Sequence, residues 1–280
     1  MVKMTADRTD MKLDFEGYSI HITKITTKPS GKSAVYLHGM CMYGEYYHGL
    51  IDLLPDDYAN FYFIDLPNHG RSSGEKGFLP DSTTIVNCID FALSVLKQKD
   101  HIDLISAESM GGIVALYYLL KRDQETNSKY LIFGAPLFPN WGFFFRKLKQ
   151  PEATYCALFA KDRMILPVKK LLGEMTRNSV VYQQIQKDKL VPEFANINYL
   201  LTIHKMAREI NSSFGTISKD ILFFYGQEDA ICNLKKIRKQ NKPMKNVKTI
   251  FIPKEYHSIF WADKDNYKQP IKEWLSNCID

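Results

Sequence analysis

Short runs rich in β-branched and aromatic residues alternate along the chain with longer stretches in which apolar residues recur every three to four positions. The first pattern suits a buried strand and the second a helix with one face on a core. Strands are predicted at Lys12–Glu16, Tyr18–Ile25, Ala34–Leu37, Asn60–Ile64, Ile102–Ser106, Tyr130–Phe133, Ile221–Tyr225 and Lys248–Ile252. Helices are predicted at Tyr46–Leu54, Asp81–Lys97, Met110–Arg122, Leu234–Gln240 and Asp265–Asn277. The first two strands read as an antiparallel hairpin across Gly17, and Asp81, Ser82 or Thr83 can cap the second helix just after Pro80. Strand and helix in alternation specify a mostly parallel sheet covered by helices, an α/β architecture.

The rhythm breaks after Pro136. From Leu137 to Gly215 there are helical patterns and loops but no convincing buried strand, and the alternation resumes at Ile221. The reading is a core formed by residues 1–136 and 216–280, with a helical cap at 137–215 inserted after the sixth strand. Such an insertion lies over the C-terminal ends of the strands, where open α/β sheets bind ligands.

Composition narrows the classes. At 45% hydrophobic and 24% charged, the chain of 280 residues is globular, which excludes disorder and low complexity. The longest uninterrupted apolar stretch, Ile113–Leu120, falls far short of the ~18 residues of a membrane span. The first residues are polar and lack the apolar segment of a secretory signal, so a cytoplasmic location is expected. Five cysteines, at 41, 88, 156, 232 and 278, are scattered with no CxxC pair, which argues for free thiols and against a structural metal. The net charge of +6 comes with no Lys/Arg-rich arm, so no nucleic-acid partner is expected.

The segment Ile105-Ser106-Ala107-Glu108-Ser109-Met110-Gly111-Gly112 stands between an apolar strand and an apolar helix. A serine on a strand-to-helix elbow has a strained backbone and needs small residues two places before and after it, which Ala107 and Gly111 supply. The elbow lifts the hydroxyl above the sheet and puts the Met110 N–H at a helix N-terminus, where it can stabilise an oxyanion. The plainer alternative is a serine in an ordinary glycine-containing loop. Three further segments favour the elbow. Leu37-His38-Gly39-Met40 ends the third strand and can offer the Met40 N–H as a second oxyanion donor. Phe224 to Ala230 is a strand end carrying Glu228 and Asp229, and Pro253 to Ser258 carries His257, the sole histidine in the last 70 residues. Serine needs an imidazole to take its proton, and the imidazole needs a carboxylate to fix its tautomer. Ser109, His257 and Asp229 form that set, with Glu228 as the alternative acid. His38 and His69 read as residues that brace their own turns.

With these segments in place the chain resembles the α/β-hydrolase superfamily, and within it the monoacylglycerol lipase, lysophospholipase and serine-aminopeptidase-like group. The resemblance runs from the His38-Gly39 turn through Asp65-Leu66-Pro67-Asn68-His69-Gly70-Arg71-Ser72-Ser73-Gly74, the Ser109-Met110-Gly111-Gly112 elbow, Gly226 to Asp229, and Tyr256-His257 followed by Trp274. It implies an eight-stranded, mostly parallel sheet with a helical cap, nucleophile Ser109, acid Asp229, base His257, oxyanion amides of Met40 and Met110, and no cofactor. Two positions depart from the group's pattern. Asn68 stands where glycine is usual, and Asn tolerates left-handed backbone better than most residues; Ala107-Glu108 replaces the commoner Gly-His, and Glu108 adds a charge beside the nucleophile.

The expected substrate is a single-chain acyl ester such as a monoacylglycerol or lysophospholipid. Thioesterase, acyltransferase and small-peptide hydrolase activities would use the same triad, as fold and triad do not choose among them; a non-catalytic binding protein is the alternative from another class. Phe138, Trp141, Phe143 and Phe144 in the aromatic run Leu137 to Phe145 are candidate acyl contacts, or else cap packing. Arg146, Lys147 and Lys149 follow, and the whole excess of positive charge falls within 137–215. An aromatic, cationic cap suits peripheral contact with an anionic membrane or lipid aggregate.

Overall fold

The computed structural model describes residues 6–122, 127–140, 142, 155 and 158–276. The first hairpin joins β1 (Asp7–Phe15) to β2 (Tyr18–Thr26) in an antiparallel register that pairs Phe15 with Tyr18. Glu16 and Gly17 form its two-residue turn, both at positive φ, the geometry that matches strand twist. β3 (Lys32–Leu37) leads to a 3₁₀ segment, Gly44–Asp52, and then β4 (Tyr58–Ile64). An α-helix was expected there. Gly44, Tyr47, Leu50 and Leu53 are buried at every third position, a spacing that eclipses on a helix of three residues per turn.

α1 (Ser82–Lys97) begins at Asp81, whose carboxylate accepts from the Thr83 and Thr84 amides. β5 (Ile102–Glu108) runs into α2 (Met110–Lys121), which is buried along nearly its whole length, and β6 (Lys129–Phe133) follows. Next come β7 (Met164–Pro167), α3 (Val168–Met175), α4 (Ser179–Lys187), β8 (Phe194–Asn196) and α5 (Ile197–Ser213). β7 and β8 pair antiparallel. No strand was predicted in this stretch, because the two are short and the first ends in Pro167. β9 (Ile221–Gly226), α6 (Leu234–Asn241), β10 (Val247–Ile252) and α7 (Lys268–Ser276) complete the chain. A single long terminal helix was expected; a 3₁₀ turn at Lys264–Asn266 precedes α7 instead.

The main sheet has eight strands in the order β1-β2-β4-β3-β5-β6-β9-β10. β2 pairs antiparallel with β1 and β4, and every other neighbour is parallel. This is the α/β-hydrolase fold. Parallel strands covered on both faces read as continuous apolar runs, and β4 and β9 are buried at every position. α5 packs along α2, where Glu209 accepts from the Tyr117 hydroxyl at 2.8 Å and pairs with Lys121 at 3.0 Å. Among the described residues no helix is long and apolar enough to cross a membrane.

Candidate active site

The parallel strands all end at one edge of the sheet, so the loops after β3, β5, β9 and β10 converge there. Ser109 occupies the corner between β5 and α2 with φ +53° and ψ −116°, a left-handed backbone that few residues other than glycine adopt. Its N–H donates to the Phe133 carbonyl at 2.8 Å, which ties the strained turn to β6. Gly111 lets the helix start this close to β3: a Cβ there would lie 2.2 Å from the Leu37 carbonyl oxygen. Gly226 does the same at the end of β9, where a Cβ would lie 2.1 Å from the Tyr256 carbonyl oxygen.

Three residues far apart in the chain meet at this corner. The Ser109 hydroxyl donates to His257 Nε2 at 2.7 Å, and His257 Nδ1–H donates to Asp229 Oδ2 at 2.8 Å. The second carboxylate oxygen of Asp229 accepts from the Ile231 and Cys232 amides at 2.7 and 3.0 Å, which fixes the orientation of the acid. Burial presses the Asp229 pKa upward, but the His257 ring and these donors outweigh it and hold the carboxyl below its ordinary range. Burial likewise opposes a charged His257, and the Asp229 carboxylate reverses the sign, so the imidazole titrates above its ordinary value. Such a ring can take the Ser109 proton and keep it. Glu228 is not part of this arrangement: it is largely exposed and pairs with Arg177 at 2.7 Å.

Met40 and Met110 both line the cavity above Ser109, Met40 directly after Gly39 and Met110 directly after the serine. Met42, Leu172, Met175, Leu200, Ile203 and Trp261 are among its walls. Leu172 and Met175 come from α3, and Leu200 and Ile203 from α5. Pro136 and Pro139 also line it, whereas Phe138 packs against the core with the Lys236 ammonium 5.9 Å from its ring centre. Trp141, Phe143 and Phe144 lie outside the described residues.

The remaining histidines of the motifs brace the surrounding loops. His38 Nδ1–H donates to the Gly39 carbonyl at 2.8 Å and Nε2 accepts the Leu66 N–H at 2.9 Å, which fastens the loop after β3 to the loop after β4. Burial keeps it neutral and pulls its pKa down to about 4. His69 is neutral for the same reason, at about 3; its Nδ1–H donates to the Pro67 carbonyl and its Nε2 accepts the Tyr199 hydroxyl. Asn68 has φ +67°, the left-handed backbone expected of it.

Two contributors escaped the sequence reading. Tyr199, on α5, also accepts the Cys41 N–H at 3.0 Å, and no motif marks it. Cys232, three residues beyond Asp229, places its sulfur 3.8 Å from His257 Nδ1. Asp229, Cys232 and His257 bring their ligand-type atoms within 4.8 Å of one another. Burial holds the Cys232 thiol protonated, so the three form a hydrogen-bonded cluster.

Comparison with known proteins agrees with this architecture. The chain is 21% identical over 263 residues to the AB hydrolase superfamily protein YisY of Bacillus subtilis, covering 88% of this chain and 92% of that one. A soluble variant of monoglyceride lipase from Saccharomyces cerevisiae, solved with a substrate analogue, superposes with a TM-score of 0.79 at 19% identity, covering 98% of each chain. The monoacylglycerol lipase of Paleococcus ferrophilus superposes with a TM-score of 0.72 at 20% identity, covering 91% of this chain and 98% of that one. At these identities the likeness establishes the fold. The family model described as serine aminopeptidase, S33, matches residues 29–265, and the chain therefore belongs to that family of α/β-hydrolases.

Proposed function

We propose that the protein is a serine carboxylic-ester hydrolase acting on monoacylglycerols, lysophospholipids or similar single-chain esters. The observation that carries this reading is the 2.7 Å contact between Ser109 Oγ and His257 Nε2 on the floor of a largely apolar cavity. His257 takes the hydroxyl proton as Ser109 Oγ attacks the ester carbonyl, and Asp229 stabilises the imidazolium. The Met40 and Met110 amides receive the negative charge on the carbonyl oxygen. His257 then protonates the departing alcohol, and a water molecule, activated by the same imidazole, releases the acid from Ser109.

The walls support this substrate class. Six apolar side chains from α3, α5 and their surroundings offer an acyl chain burial at ~25 cal/mol per Å². A peptide or sugar would leave its polar groups without partners along those walls, at a cost of ~1–3 kcal/mol each. The cap at 137–215 supports contact with a lipid surface, since Tyr155, Leu158 and Phe159 are exposed and the segment carries the excess cation. The Saccharomyces monoglyceride lipase and the Paleococcus monoacylglycerol lipase named above point the same way.

The direct test is labelling with a fluorophosphonate followed by an ester panel of graded chain length. Labelling at Ser109, lost in Ser109→Ala together with ~10⁴-fold of turnover, supports the reading. A folded Ser109→Ala protein that still labels would overturn it.

A further inference from the structure

Glu108 precedes the nucleophile, and its carboxyl is buried inside the protein at 1% exposure. A carboxylate removed from water is costly unless several donors surround it. The groups around it come from two other loops of the site. The Phe260 N–H, in the 3₁₀ turn Ile259–Trp261 just past His257, donates to Glu108 Oε1 at 3.3 Å. The Tyr47 hydroxyl faces the same carboxyl and accepts the Gly39 N–H at 3.3 Å. Gly39 is the residue immediately before Met40. Tyr47 is itself held rigidly, stacked on Tyr36 at 4.6 Å and on Trp261 at 5.7 Å.

One carboxyl therefore joins the nucleophile elbow, the loop after β3 and the loop carrying His257. From the serine-hydrolase reading above, on which this step rests, we infer that Glu108 is a positioning residue: through Tyr47 it sets the Gly39-Met40 peptide at the oxyanion site, and its negative charge biases His257 toward the imidazolium. The titratable groups facing it are Tyr36 from β3, Tyr47 from the 3₁₀ segment, His257, and Tyr267 ahead of α7. Burial pushes the Glu108 pKa up to about 7, with the Tyr47 hydroxyl, His257 and the Phe260 amide pulling the other way. Its charge thus varies across the neutral range in which the enzyme would work. A purely structural polar group would hold the loops together but leave the titration of His257 alone.

The test uses the full chain with a soluble short-chain ester, measuring kcat and KM from pH 5 to 9 for wild type, Glu108→Gln, Tyr47→Phe and the double variant. Glutamine keeps the shape and one acceptor while removing the charge; phenylalanine keeps the stacking while removing the hydroxyl. Each single change is expected to lower kcat roughly tenfold with little change in KM, since the interaction acts at the transition state. Glu108→Gln should also move the acid limb of kcat/KM downward by about half a unit or more, as loss of a nearby negative charge favours the neutral ring. The double variant should lose little beyond the larger single loss, because both residues act through one link. Fluorophosphonate labelling of wild type at Ser109 separates the two readings. With labelling intact, an unchanged acid limb in Glu108→Gln, or losses that simply add, overturns the role of Glu108. Absence of labelling overturns the serine-hydrolase reading instead. If Glu108→Gln does not fold, wild-type kcat in Tyr47→Phe overturns the role by itself.

Discussion

The Tyr199 hydroxyl on α5 accepts the Cys41 N–H at 3.0 Å while donating to His69 Nε2, so a helix late in the chain braces the loop after β3. Cys41 has φ +56°, a left-handed backbone that a thiol-bearing residue adopts only under constraint. Met40, the proposed oxyanion donor, is its neighbour. α5 thus does more than line the cavity: it also holds the loop that carries Met40.

Tyr199→Phe leaves the ring in place but strips two buried groups of their partner. The protein should lose ~1–3 kcal/mol of stability. If the brace sets Met40, kcat should fall roughly tenfold, short of the 10²–10³ that follows outright loss of an oxyanion donor. Thermal unfolding and steady-state kinetics on a soluble ester measure both, and a destabilised variant with unaltered kcat would confine Tyr199 to packing.

Asp229→Asn should cost about four orders of magnitude in kcat. Asp229 Oδ1 is held by the Ile231 and Cys232 amides, so the new NH₂ would face His257 Nδ1 and select the wrong tautomer. Glu228→Gln, on a residue whose partner is the surface Arg177, should change kcat by less than about threefold. Steady-state kinetics on the two variants decide the acid; the opposite ranking would transfer the role to Glu228.

The pH profile has a definite sign. His257 must be neutral to accept the Ser109 proton, and Asp229 raises its pKa above the ordinary 6.5. Activity should therefore be full at alkaline pH and fall as the pH drops through that raised value. In Asp229→Asn the residual activity should extend to lower pH. A kcat/KM profile whose acid limb lay well below 6.5 in the wild type would contradict the coupling.

Leu158→Ser combined with Phe159→Ser should weaken binding to anionic vesicles and slow long-chain monoacylglycerol hydrolysis, while a soluble short-chain ester is turned over as before. Both side chains are exposed, at 63% and 75%, and neither is among the residues that line the cavity. Raising the ionic strength should weaken wild-type vesicle binding as well, since salt screens the cationic attraction. Equal loss on both substrates would indicate damage to the cavity rather than to a lipid contact.

The sheet was legible because its strands are buried on both faces. Runs such as Phe61-Tyr62-Phe63-Ile64 and Ile221-Leu222-Phe223-Phe224 carry their burial in their composition. Ser109, Asp229 and His257 stand out in the sequence because each lies in a loop that follows a strand, with nearby residues that the local geometry demands, such as Gly111 and Gly226. What escaped depends on distance in the chain. Nothing near Tyr199 says that its hydroxyl reaches Cys41, nor does anything near Glu108 reveal Tyr47 and Phe260 as its neighbours. β7 and β8 were missed because each is stabilised by the other more than by its own sequence. The 3₁₀ segment was read as an α-helix because apolar spacing of three fits either helix over so few turns.

The backbone of Ser109 has a bearing on how this protein could change over generations. Its φ and ψ would relax with glycine, and strain of this kind costs ~1–3 kcal/mol. Stability alone therefore gives no reason to keep a serine at this corner; a chain freed from the need for turnover would become sturdier by losing it. Selection for a robust fold and selection for reaction would oppose each other here at a single residue, so a stabilised variant obtained by screening for thermal tolerance alone would risk discarding the proposed nucleophile.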